Sequence, residues 1–250
     1  MRPHITPLVP IYLTLVLLGA NCAGPQGSKL VMEGDQQMLV GNYSSAADQY
    51  RKVLVQDAND PPRLRLAMAL IRSGRHTEAL AELAKVKQDS HQSLYLKALC
   101  CVAVNDVAKA EQFIEQALQE KPDDSRTLAL LGRVKFLQKE YARSAEAYQN
   151  ALANSANDTV RTTLHYNLAM AQLLAGRFKQ ADDTFKLYLI KQKFITKEDN
   201  RLAGAIAYAA GDRERAFRHW KTLTSKEQQK ILNAIDDQPA KAAEVAMNNG

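Results

Sequence analysis

The sequence predicts an all-α fold: a stack of about six helix–turn–helix repeats, an α-solenoid, closed by a C-terminal capping helix. Three observations carry this. Prolines occupy 61, 62 and 122 but are missing from 63–121 and 123–238, the spacing expected of long helical stretches. Apolar residues recur at helical intervals, as in Leu164, Leu168, Ala171 and Leu174, then Phe178, Ala181, Phe185 and Leu189 after the break at Gly176. Finally, the breaks are themselves periodic. Gly41, Gly74, Asn105, Lys139, Gly176 and Gly211 follow one another at intervals of 33, 31, 34, 37 and 35 residues.

Each repeat keeps the same internal pattern. Seven residues before each turn stands a small residue: Gly34, Ala67, Ala98, Gly132, Ala169 and Gly204. Five residues after each turn comes Ala46, Ala79, Ala110, Ser144, Ala181 or Ala216, and four further on a large apolar one, Tyr50, Leu83, Ile114, Tyr148, Phe185 or Trp220. The small residues let the two helices of a pair approach; the large ones fill the space left between them. A lone pair has no closed core, so the units must stack. The pattern places repeats at 27–59, 60–90, 91–124, 125–161, 162–196 and 197–224. A capping helix follows from Ser225, with Ser225 and Gln228 as its capping box, and then a tail to residue 250.

These slots resemble the tetratricopeptide repeat, and the resemblance spans residues 28–224. It implies a protein-binding array whose first helices line a groove between the packing slots. Carried over position by position, that groove is Met38, Leu64, Met68, Ile71, Tyr95, Leu99 and Val102 in the first half. In the second half it is Phe136, Tyr166, Asn167, Met170, Leu173 and Tyr208. Arg72, Arg133 and Arg201 stand among them. Family members that grip a C-terminal carboxylate use a lysine–asparagine clamp; here only Asn167 fits and the clamp lysines are missing. The apolar, Met- and Tyr-rich lining instead suits an amphipathic or extended apolar protein segment.

The first residues differ in kind. Arg2 and His4 precede an apolar run over 8–18, too short to cross a bilayer. Residues 1–21 read as a signal peptide and 22–27 as a linker. Leu17-Leu18-Gly19-Ala20-Asn21-Cys22 resembles a bacterial lipobox, which implies lipidation of Cys22. Ala23 lacks the aspartate that marks inner-membrane retention, implying an outer-membrane lipoprotein facing the periplasm. Asn21 stands where a smaller residue is usual, so cleavage near Ala23 and an uncleaved anchor stay open.

The net charge is +6, and 32 basic against 27 acidic residues follow Ser28, interspersed without a stripe. That pattern speaks against a nucleic-acid surface. No GxSxG, HExxH or GxxxxGK[ST] occurs, so neither an enzyme nor a cofactor site is expected. Of the five histidines, His76 and His165 read as packing residues. Phe217 and Trp220 read as inward-facing, Cys100 and Cys101 as small buried side chains, and Asp123-Asp124 and Asp182-Asp183 as capping and surface residues. The architecture is similar to pilus-assembly lipoproteins of the tight-adherence (Flp) and type IV classes. That implies capture of a secretin or another pilus component, with a scaffold for peptidoglycan-modifying enzymes as the alternative.

Overall fold

The computed structural model describes residues 25–56, 58–221 and 223–235. The signal segment, Cys22 and the tail beyond Ile235 lie outside them. The described residues form helices and turns with no strand: α1 (Pro25–Leu39) with α2 (Tyr43–Gln56), α3 (Asp60–Arg72) with α4 (His76–Leu83), and α5 (His91–Ala103) with α6 (Val107–Glu120). There follow α7 (Ser125–Leu137) with α8 (Tyr141–Ala153), α9 (Asp158–Leu174) with α10 (Phe178–Ile190), α11 (Lys197–Ala209) with α12 (Arg213–Trp220), and α13 (Ser225–Ile235). α1 takes in the last three residues of the stretch read as linker. No described helix is long and apolar enough to cross a membrane.

The described residues divide within α7 into two compact units, 25–130 and 131–235. In the first, α1 packs on α2, α3 on α4 and α5 on α6, and α3 also touches α5. In the second, α8 packs on α9, α9 on α10, α10 on α11 and α11 on α12.

All six turn anchors adopt the left-handed conformation, including Asn105 (φ 64°) and Lys139 (φ 63°). Each closes its helix in the same way. The amide of the anchor donates to the carbonyl three residues back, as from Gly74 to Ile71 at 3.0 Å. The next amide donates five back, as from Arg75 to Leu70 at 2.8 Å. This pair of bonds satisfies the orphan carbonyls of the helix end. Lys139 adopts the conformation despite its Cβ, at a cost of roughly 1–2 kcal/mol.

The small and large slots are matched in size. Glycine stands only where the partner sixteen residues on is Tyr50, Tyr148 or Trp220. A Cβ added at Gly34 or Gly132 would come within 2.5 Å or 2.7 Å of the tyrosine ring, and one at Gly204 would overlap the indole of Trp220. Ala67, Ala98 and Ala169 face the smaller or narrower Leu83, Ile114 and Phe185, and all of these are buried. Polar links lock the pairs together. In the first unit Asp35 accepts from the Tyr50 hydroxyl at 2.6 Å and pairs with Arg65 at 3.3 Å, joining α1, α2 and α3. In the second, the Ser144 hydroxyl donates to the Gly132 carbonyl at 2.7 Å.

Two local expectations change. The box that starts α13 is one residue earlier than expected: Thr224 caps and Glu227 closes it, with the Thr224 amide donating to Glu227 at 2.9 Å. Glutamate at that position also pairs with Lys197 and Arg201, both at 2.9 Å, so the cap doubles as the weld between α11 and α13. Trp220 is fully buried as expected, but Phe217 is 44% exposed and only edges onto it, ring centres 5.8 Å apart.

The size matching yields a prediction. Gly132→Ala is expected to destabilise by about 1–3 kcal/mol through overpacking. Combining it with Tyr148→Leu, which recreates the Ala67–Leu83 pairing, should cost less than the sum of the two single changes by about 0.5–3 kcal/mol. Denaturant unfolding of the four proteins measures the coupling; additive losses would count against size matching.

Candidate functional site

The residues expected to line a groove lie on α1, α3 and α5 of the first unit and on α7, α9 and α11 of the second. Helical spacing puts 64, 68, 71 and 72 on one side of α3, and 95, 99 and 102 on one side of α5. The structure separates them by depth. Met38, Leu64, Tyr95 and Val102 are buried in the first unit, Met170 and Leu173 in the second. Leu173 has no exposed surface at all and sits in one cluster with Met170, Ala169 and Phe185. These six are therefore core in the free chain. Arg201 is also corrected: it is buried and spent on Glu227.

Nine of the expected residues keep partial exposure: Met68, Ile71, Arg72 and Leu99 in the first unit, and Arg133, Phe136, Tyr166, Asn167 and Tyr208 in the second. In the first unit Met68, Ile71 and Leu99 are aliphatic and lie on α3 and α5, and Tyr95 is buried on α5. The Tyr95 ring lies under the Arg126 guanidinium at 5.7 Å, and burial pushes its hydroxyl up to about 12. That hydroxyl has no hydrogen-bond partner among the described residues. The second unit is aromatic instead. Tyr166 meets Tyr188 edge-on at 5.2 Å and Phe185 at 6.0 Å, and burial raises its hydroxyl to about 12. Tyr208 stacks on Trp220 at 6.0 Å and lies beneath Arg213 at 5.5 Å. Rigid aromatics backed by core are the usual anchors of a binding surface, since little side-chain entropy is lost when they are covered.

Elsewhere the chemistry is structural. Cys100 and Cys101 are free and buried, and burial pushes the Cys100 thiol up to about 12, which makes it a poor nucleophile. Asp182 pairs with Lys186 at 2.7 Å and Arg215 at 2.8 Å. No group of three His, Cys, Asp or Glu among the described residues is placed to hold a metal. A shallow depression of about 530 Å³, lined by Gly176–Gln180 with Ala209 and Ala210, sits at the turns that end α9 and α11.

Sequence reasoning missed a buried polar chain in the first unit. The Thr127 hydroxyl donates to Asp124 at 2.8 Å and accepts from His91 Nε2 at 3.1 Å. The Asp-x-x-Thr spacing at the start of α7 was the visible signal, but nothing in the sequence ties His91 to it.

Comparison with known proteins places these observations. The family "Tetratricopeptide repeat" matches residues 95–159 and again 163–185, and "Anaphase-promoting complex, cyclosome, subunit 3" matches 40–117. Superkiller complex protein 3 of Mus musculus is 28% identical over 128 residues, which is 49% of this chain but 8% of the mouse protein. Among solved structures, PilW, a widely conserved type IV pilus biogenesis factor, superposes with a TM-score of 0.69 at 20% identity, covering 89% of this chain and 99% of PilW. PilF of Pseudomonas aeruginosa superposes at 0.67 and 19% identity, covering 79% and 90%. At these identities the likeness to PilW and PilF is one of fold.

The buried His91 and three half-buried histidines carry a pH signature. Burial lowers the proton affinity of His76, His91, His165 and His219; at His91 it outweighs the opposing pull of Asp124. The folded chain therefore holds them neutral, while the unfolded chain takes up protons below about pH 6.5. Their contribution is present above that value and lost as pH falls towards the depressed folded values. The carboxylates act lower. Glu227, held by Lys197 and Thr224, is drawn down to about 2. The melting temperature is expected to be flat from pH 8 to 7 and to fall by about 2–4 °C before the carboxylates begin to titrate. Scanning calorimetry of the wild type and His91→Gln should show the shallower acid decline in the variant; parallel curves would contradict this.

Proposed function

Since the chain belongs to the tetratricopeptide-repeat family, we propose that it is a non-enzymatic adaptor of the bacterial cell envelope. Lipid on Cys22 holds it at the outer membrane, facing the periplasm. The exposed parts of the first helices capture an apolar or amphipathic segment of a secretin or another pilus-assembly component. The observation that carries this reading is the partly exposed stripe of Met68, Ile71 and Leu99 in one unit, and of Phe136, Tyr166 and Tyr208 in the other. These are large apolar side chains on rigid helices, at the slots between the packing positions, where an incoming segment gains affinity chiefly from apolar burial. The likeness in fold to PilW and PilF over most of their length supports the choice of pilus assembly. Arg72, Arg133 and Asn167 beside the stripe would orient the segment through its carbonyls or an acidic residue.

Ile71→Asp combined with Leu99→Asp puts two charges on the stripe without touching the matched packing pairs. A deletion strain complemented with this variant should lose secretin multimers and piliation to the level of the deletion. Helical circular dichroism of the purified variant should stay within about 1 kcal/mol of wild-type stability. Multimers and pili at wild-type levels would refute the reading. Intact-mass spectrometry of membrane-extracted protein tests the anchor: an unmodified polypeptide beginning after residue 22 would remove it.

A further inference from the structure

The end of α10 and the connection to α11 carry apolar side chains into solvent. Leu187 and Ile190, three residues apart on α10, are 51% and 76% exposed, and Phe194 and Ile195 in the connection are 77% and 51% exposed. Tyr188 and Leu189 pack against the core cluster of the second unit, so the exposed pair is a separate, outward face of the same helix. Scattered exposed apolar residues are ordinary; four within nine residues of chain are a patch.

The charge around the patch selects its occupant. From Thr184 to Lys197 there are four lysines and no aspartate or glutamate, with Asp182 and Asp183 before the stretch and Glu198 and Asp199 after it. Lys186 is neutralised by Asp182 at 2.7 Å and Lys197 by Glu227 at 2.9 Å. Lys191 meets its nearest carboxylate, Asp158, only at 3.9 Å, with both side chains largely exposed. Lys193 Nζ lies 5.7 Å over the Phe194 ring. Lys193 is thus left with no ion pair among the described residues, and Lys191 with one long, exposed pair, beside four bare apolar side chains. A second copy of the chain would set these lysines against their own equivalents across a two-fold axis. A bilayer surface with anionic headgroups meets both features: phosphates take the ammonium groups, and the acyl boundary takes the aromatic and aliphatic tips.

We propose that the α10–α11 connection is a membrane-docking element. Phe194 and Ile195 enter the headgroup–acyl boundary of an anionic bilayer, Leu187 and Ile190 lie along it, and Lys191 and Lys193 pair with lipid phosphates. The contact would fix which side of the second unit faces the membrane. It needs neither the lipid on Cys22 nor capture of a partner by the first helices.

The test uses the full chain carrying Phe194→Trp. Trp220, the one native tryptophan, is fully buried and supplies a constant background. With phosphatidylglycerol–phosphatidylcholine vesicles at low salt, the emission of Trp introduced at 194 should shift to the blue and be quenched by brominated acyl chains. Adding Lys191→Gln and Lys193→Gln should weaken the half-point of that shift about 25-fold, roughly fivefold per lysine. Circular dichroism of each variant checks that the helices persist. The proposal is overturned if the emission stays unshifted while the chain sediments with the vesicles, or if pure phosphatidylcholine works equally well. A blue shift that grows with protein concentration in the absence of lipid would assign the patch to self-association and overturn it too.

Discussion

Everything in this chain depends on how closely two helices of a pair approach. That distance is set by a small residue on the first helix and a large one sixteen positions later on the second. The repeats solve it in two ways: glycine against Tyr50, Tyr148 or Trp220, and alanine against Leu83, Ile114 or Phe185. The volume removed from one helix is added to the other, so packing stays dense while the identities vary. Glycine costs helix propensity of roughly 1 kcal/mol, which the contact with a large aromatic offsets.

This division of labour leaves the remaining positions of the first helices open to other uses. In α3, Ala67 and Leu70 are locked in the core, whereas Met68 and Ile71, the very next residues, keep partial exposure. One residue of helical rotation separates folding from a surface a partner can cover. The first unit offers an aliphatic surface of this kind and the second an aromatic one. The basic, apolar edge at the end of α10 lies outside this pattern altogether, which is why it calls for an occupant of a different kind.

Much of this was legible before any coordinates. The period, the turn anchors and both packing slots are sequence features, and every anchor takes the left-handed conformation, even Lys139. Depth was less legible. Leu173 and Met170 occupy slots that other repeats leave partly open, and only the packing of the neighbouring helix decides that they are core. Phe217 is the reverse case: it lies on the same helix as buried Trp220 and edges onto its ring, yet stays 44% exposed. The cap of α13 was misplaced by one residue because Ser225 and Thr224 are equally good hydroxyl caps; the choice falls to Glu227, whose carboxylate also meets Arg201 from α11.

The central claim is that the partly exposed stripe of the first helices, rather than the outer faces of the second helices, receives the partner. Site-specific photocrosslinking in living cells tests this most directly. A photoreactive phenylalanine at Leu99 is compared with one at Val55, a residue of α2 that is 88% exposed. The account predicts an adduct that reacts with secretin antibody from position 99 and none from 55. An adduct from 55 with none from 99 would contradict it.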